Sequence, residues 1–201
     1  MDIPNQLTRA AEDGDVAAVA RLLGAGAEVD APNSVRRTAL DLAVSAGHAE
    51  TVRLLLAAGA DPCQRTGEYD ELTPLLQAAM RPDTDVVRAL LAAGAPMCAQ
   101  GKMDWVPLVV AATSGDLGYP QIVVLFLDHG ADINAVMKGR TALELAVAGG
   151  KVQMARWLLG RGAVPTAHAL STAHHHARRS PEDAERYALV IHALHAARLR
   201  D

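Results

Sequence analysis

The stretch LLGAGAEVD at residues 22–30 returns as LLAAGADPC (55–63), LLAAGAPMC (90–98), FLDHGADIN (126–134) and LLGRGAVPT (158–166). Its Gly-Ala pairs start at Gly26, Gly59, Gly94, Gly130 and Gly162. A second block keeps the same rhythm: RTALDLAVSAGHAETV from Arg37, LTPLLQAAMRPDTDVV from Leu72, WVPLVVAATSGD from Trp105 and RTALELAVAGGKVQMA from Arg140. Self-similarity at a fixed period is the mark of a repeat architecture, in which each unit is too small to bury its apolar face alone.

Each copy reads as two short helices. Thr38, Thr73 and Thr141 stand just before an apolar run, where a side-chain oxygen can accept from the backbone N–H groups left open at a helix start. Helix one continues through Leu40, Leu42 and Ala43, or Leu143, Leu145 and Ala146, and ends at a glycine such as Gly47 or Gly150. Helix two carries its stripe at Val52, Leu55 and Leu56, matched by Val87, Leu90 and Leu91. About a dozen residues, polar and turn-rich, then precede the next threonine, a length that fits an extended finger or hairpin.

Composition agrees with this reading. Of 201 residues half are hydrophobic, yet 40 are alanine and only 3% are aromatic. Small side chains let helices approach closely, whereas sheet proteins favour aromatic and β-branched residues. High apolar content with a net charge of −4 argues against disorder, and that mild acidity against a nucleic-acid partner. No apolar run is long enough to cross a membrane. The N-terminus lacks a basic region followed by an apolar core, so a cytoplasmic setting is expected. Two cysteines cannot make a disulfide framework. Cys63 and Cys98 hold equivalent places in successive units, and neighbouring helices stack too far apart for them to bridge.

The blocks resemble ankyrin repeats. Thr73-Pro74-Leu75 is the closest copy of that family's start, Gly47-His48 of its helix break, and Gly59-Ala60-Asp61 and Gly130-Ala131-Asp132 of its end. The resemblance implies an all-α repeat solenoid of stacked helix-turn-helix units with projecting hairpin-like fingers. A single domain over 1–201 is expected, with an N-terminal cap at 1–31, internal repeats at about 32–64, 65–100, 101–135 and 136–164, and a C-terminal cap at 165–201. In the final unit Pro181 suits the first helical position, and Tyr187, Val190, Ile191 and Leu194 should face the body.

Function on such a scaffold belongs to residues that break the repeat. The finger PCQRTGEYDEL from Pro62 is long, the helix break GDLGYPQ from Gly115 has extra residues, and in the third unit Pro82 replaces the usual glycine and Gln77 an apolar residue. Tyr69, Trp105 and Tyr119 fall on these predicted loops, and rigid rings are favoured at binding hot spots. Phe126, Trp157 and Tyr187 fall on second helices and are assigned to packing.

The resemblance implies rigid capture of a protein by the fingers and the inner face of the first helices. Candidate contacts are Arg36, Arg65, Glu68, Tyr69, Lys102, Asp104, Trp105, Lys138 and Arg140 from the fingers. Asp41, Ser45, Leu76, Met80, Val109, Thr113 and Glu144 come from the first helices, with Leu76 and Val109 making an apolar patch. Residues 1–100 hold eight basic and 14 acidic side chains, so a partner with a basic patch is expected. A monomer is expected, with neither nucleic acid nor membrane as partner.

No catalytic motif is found, and no enzyme activity or cofactor is expected. His168, His174, His175, His176, His192 and His195 crowd the final unit, but their spacing matches no compact metal site, and a polar outer face accounts for them. The narrower alternatives are an immunity-type inhibitor of a bacterial toxin, in keeping with alanine- and arginine-rich bacterial usage, and a secreted effector. A protein using the histidine cluster for metal ranks below both.

Overall fold

The computed structural model of the protein describes residues 3–65, 72–97, 105–179 and 181–198. These residues form short paired helices grouped in two compact units, Met1–Pro107 and Leu108–Asp201. The first unit holds α1 (Ile3–Glu12), α2 (Val16–Gly24), α3 (Ala39–Ala46), α4 (Ala49–Ala57), α5 (Pro74–Ala79) and α6 (Thr84–Ala92). From Pro107 onward come α7 (Pro107–Thr113), α8 (Pro120–Asp128), the strands β1 (Val136–Met137) and β2 (Arg140–Thr141), α9 (Ala142–Ala148), α10 (Val152–Gly160), α11 (Ala167–Ala177) and α12 (Pro181–Arg198).

The helix starts are set by threonine. Thr38, Thr73, Thr141 and Thr166 each hold an extended backbone and accept from the amide three residues on, at 3.2, 3.2, 3.3 and 3.1 Å. Thr141 adds the reciprocal bond, its own amide donating to Glu144 Oε2 at 3.1 Å, so two open donors are satisfied at once. Gly47 ends α3 at φ 83°, a left-handed backbone that side chains other than glycine adopt at a cost. In the third unit α5 stops after six residues, because Pro82 pushes Arg81 away from helical backbone.

Within the first unit α3 packs against α1 and α5, and α4 against α2 and α6, so first helices stack on first helices and second on second. In the second unit α11 lies on α9, and α12 on α10 and α11. This is an all-α repeat solenoid of helix pairs, its core made of Leu, Val and Ala. Phe126 is fully buried, as are Val190 and Leu194, and Tyr187 sits at 2% exposure with its hydroxyl donating to the Val147 carbonyl at 3.1 Å. Ile191 is only half-buried.

Side chains also tie three of the helix breaks to the one before. His48 Nε2 hydrogen-bonds the Glu12 carbonyl at 3.0 Å, Lys151 Nζ donates to the Gly115 carbonyl, and Arg186 to the Gly150 carbonyl at 2.7 Å. At the foot of the fingers the Asp61 amide donates to Asp30, and the Val164 amide to Asn134 Oδ1 at 2.8 Å. Desolvation, opposed by the Asp61 amide and reinforced by the nearby Asp61 and Glu28 charges, raises the Asp30 carboxyl above its ordinary range.

Candidate functional site

Two fingers lie wholly among the described residues. In the first, Asn33 N donates to Arg37 O and Arg36 N to Asn33 O, both at 2.9 Å, while Asn33 Oδ1 accepts from the amides of Val35 and Arg37. In the other, β1 and β2 pair antiparallel, Val136 opposite Thr141 and Met137 opposite Arg140. Lys138 and Gly139 turn the chain at φ 51° and 77°, matching the positive φ at both positions that a type I′ turn requires.

Both tips share a feature. Among the described residues Arg36, at φ 60°, and Lys138 are the non-glycine residues with positive φ. Each places a cation where glycine would sit with less strain. Each also has an exposed valine close by in the chain, Val35 next to Arg36 at 71% exposure and Val136 two residues before Lys138 at 55%. Arg65 and Arg140 are exposed as well. The carboxylates of Asp61 and Asp132, at the finger bases, accept the amides of Cys63 and Asn134, both at 2.8 Å. The described finger tips thus combine valines with basic residues, in a chain whose first hundred residues are acidic overall. Asp83 and Asp85 belong to the start of α6, where Asp83 pairs with Arg81 at 3.5 Å.

The first helices differ from expectation. Asp41 is 2% exposed; it pairs with Arg37 and accepts from Gln77 Nε2 at 2.9 Å. Glu144 is buried, its second oxygen accepting the Thr166 hydroxyl at 2.5 Å. Leu76 and Val109 are completely buried. These four side chains hold the stack and present no apolar or acidic surface, because every position they occupy faces a neighbouring element. Met80 is exposed, and Ser45 and Thr113 are half-buried, Thr113 bonding back to the Val109 carbonyl at 2.8 Å. Trp105 and Tyr119 are half-exposed. Glu68, Tyr69, Lys102 and Asp104 lie outside the described residues, as does Cys98. Cys63 is exposed, with its thiol pushed up from the ordinary range by desolvation and by the Asp61 carboxylate.

The histidines of the last helix pair engage rings. His176 stacks on Tyr187 with centroids 5.1 Å apart, and His174 meets His195 edge-on at 6.2 Å. Among the described residues no three His, Cys, Asp or Glu side chains converge as a metal site. No helix among them is long and apolar enough to cross a membrane.

The sequence reading missed the exposed valines at the tips and the setting of Trp157. That ring is half-buried beneath Arg161, whose guanidinium carbon lies 4.6 Å from the ring centroid, and it lines an open groove with Leu117. The apolar Leu117 inside a loop insertion was the available signal.

Stacked helix pairs joined by protruding fingers define a helical repeat protein. A family model described as ankyrin repeats, in three copies, matches residues 4–66 and 75–169, and the chain belongs to the ankyrin-repeat family. It is similar to the B-cell lymphoma 3 protein homolog of Mus musculus, 33% identical over 192 residues, covering 78% of this chain and 38% of that protein. It is 32% identical over 163 residues to an L-asparaginase of Dirofilaria immitis, covering 81% and 27%. The ankyrin repeat protein YahD of Escherichia coli K12 is 28% identical over 197 residues, covering 81% of this chain and 98% of its own. The chain thus spans well under half the length of the mouse and nematode relatives.

Proposed function

We propose that this chain is a non-enzymatic protein-binding module that captures its partner on the finger tips. The observation that carries this reading is the basic residue held in left-handed backbone at each tip, Arg36 and Lys138, with an exposed valine one or two residues before it. Strained backbone persists where the surrounding structure over-determines it, and such positions cluster at binding sites. An exposed valine and a basic residue within two positions of each other at each tip offer a partner both apolar and polar contact. Family membership supports a protein partner. The buried carboxylates Asp41 and Glu144 are occupied in holding the stack, which supports a binding role over an acid/base one. The narrower reading as an immunity-type inhibitor rests on the alanine- and arginine-rich usage and on the acidity of residues 1–100.

The test is affinity capture from source lysate. Wild type is compared with a variant carrying Val35→Asp, Arg36→Glu, Val136→Asp and Lys138→Glu, and bound proteins are identified by mass spectrometry. A protein retained by wild type and lost by the variant is expected. Equal retention by both proteins sinks the finger-tip reading.

A further inference from the structure

We infer that the second-helix side of the second unit carries a docking groove for an acidic protein segment with a large apolar side chain. The groove has a volume of about 640 Å³ and runs between the insertion after α7 and the outer face of α10. Leu117, Trp157 and the buried Met154 are among the residues that line it. Leu117 is 67% exposed, more than Leu189, the other exposed leucine among the described residues at 54%.

The insertion is fixed in position. Gly118 takes φ 77°, and a Cβ there would lie 2.5 Å from the Ala112 carbonyl oxygen and 2.6 Å from Met154 Cε. The backbone and Met154 are therefore in direct contact at Gly118, and Lys151 ties Gly115 at the start of the same insertion. A recess held open in this way lets an incoming side chain dock with little loss of conformational freedom.

The charge around it selects the occupant. Arg156 lines the groove, and Arg161 lies over Trp157. A smaller depression continues past Leu117 and Met154 to Lys151, Arg186 and the exposed Leu189. Lys151 and Arg186 donate to carbonyls, which orient these cations without neutralising them. Among the described residues none of the four cations has a carboxylate partner within ion-pair distance, and Glu185 is the one acidic side chain lining either recess. A carboxylate-bearing segment is steered to this rim and a basic one repelled. The concave shape suits a protruding side chain and not a flat bilayer. This surface is separate from the finger tips.

The test selects a displayed library of random dodecapeptides against the full chain. Enriched peptides should combine Asp or Glu with Leu, Phe or Trp. Their affinity should fall about tenfold or more in Leu117→Ser and in Arg156→Glu, and hold in the finger-tip variant. Leu117 and Arg156 are exposed, so both variants should melt as wild type does. Failure to enrich acidic peptides overturns the proposal, as does binding indifferent to both groove substitutions. Self-association abolished by Leu117→Ser, or binding of phosphatidylserine vesicles abolished by Arg156→Glu, would assign the groove to another occupant and equally overturn it.

Discussion

Gln77 Nε2 donates to the buried Asp41 Oδ1 at 2.9 Å, linking two first helices 36 residues apart in the chain. Gln77 stands where the repeat calls for an apolar residue, and the exception has a physical reason. Asp41 is buried in the preceding unit, and a buried carboxylate needs donors. Arg37 supplies one and Gln77 another.

Replacing Gln77 by Leu restores the repeat pattern and removes the donor. The expected loss is about 1–3 kcal/mol, the cost of leaving a buried polar group short of a partner. Gln77→Glu should cost more, by setting two carboxylates together. The loss should shrink in an Asp41→Leu background, since neighbours in one network are not additive. Urea denaturation of wild type, Gln77→Leu, Asp41→Leu and the double variant measures the coupling, and strictly additive effects would mean that the bond contributes nothing.

Gly118→Ala should be severely destabilising, by about 2 kcal/mol or more, because the new methyl meets a backbone carbonyl as well as unfavourable φ. Gly139→Ala is the control. It has a similar φ of 77° but open space around it, so only the backbone cost of about 1 kcal/mol applies. Thermal melts of both variants separate the steric term from the conformational one. Equal losses would show that the insertion can relax around the methyl.

Helix existence, the threonine caps and the αL break at Gly47 were legible from the repeated blocks, since each follows from local spacing and side-chain chemistry. The fate of Asp41, Leu76, Val109 and Glu144 was not. A position one helix turn inside a cap looks solvent-facing in a single unit and becomes buried only when the next element packs on it. Trp157 was misjudged in the other direction. Its place on a second helix reads as core, but the insertion at Leu117 leaves its face lining a groove. At the finger tips, sequence marked Arg36 and Lys138 as charged loop residues. Their left-handed backbone is set by the hairpin hydrogen bonds and has no signature in residue type.

Tyr187 makes stability depend on pH in the alkaline range. Desolvation raises its phenol above the ordinary value of 10.0, with smaller opposing and reinforcing effects from Arg186, Asp183 and Arg179. The folded state therefore holds the proton at pH values where the unfolded chain releases it. Stability contributed by the neutral phenol is full below the unfolded pKa and falls as pH rises above it toward the raised folded value. Tyr187→Phe should lower stability at neutral pH, through loss of the bond to the Val147 carbonyl, and flatten the decline above pH 10. Denaturant midpoints of both proteins across that range give the comparison. Parallel curves would show that Tyr187 ionises as freely in the fold as outside it.

Arg36→Gly and Lys138→Gly separate folding from binding at the tips. Glycine relieves about 1–2 kcal/mol of left-handed backbone strain, and the unfolded chain's greater freedom takes back about 0.4–1 kcal/mol of that. The net expectation is a melting temperature equal to or slightly above wild type, together with weaker capture of the partner, because the cation is gone while the turn remains. A residue serving only to shape the hairpin would give the opposite pattern, with capture unchanged. Loss of thermal stability in both variants would instead assign Arg36 and Lys138 to holding the fingers. Melting curves and retention on an affinity column, measured on the same preparations, decide between these outcomes.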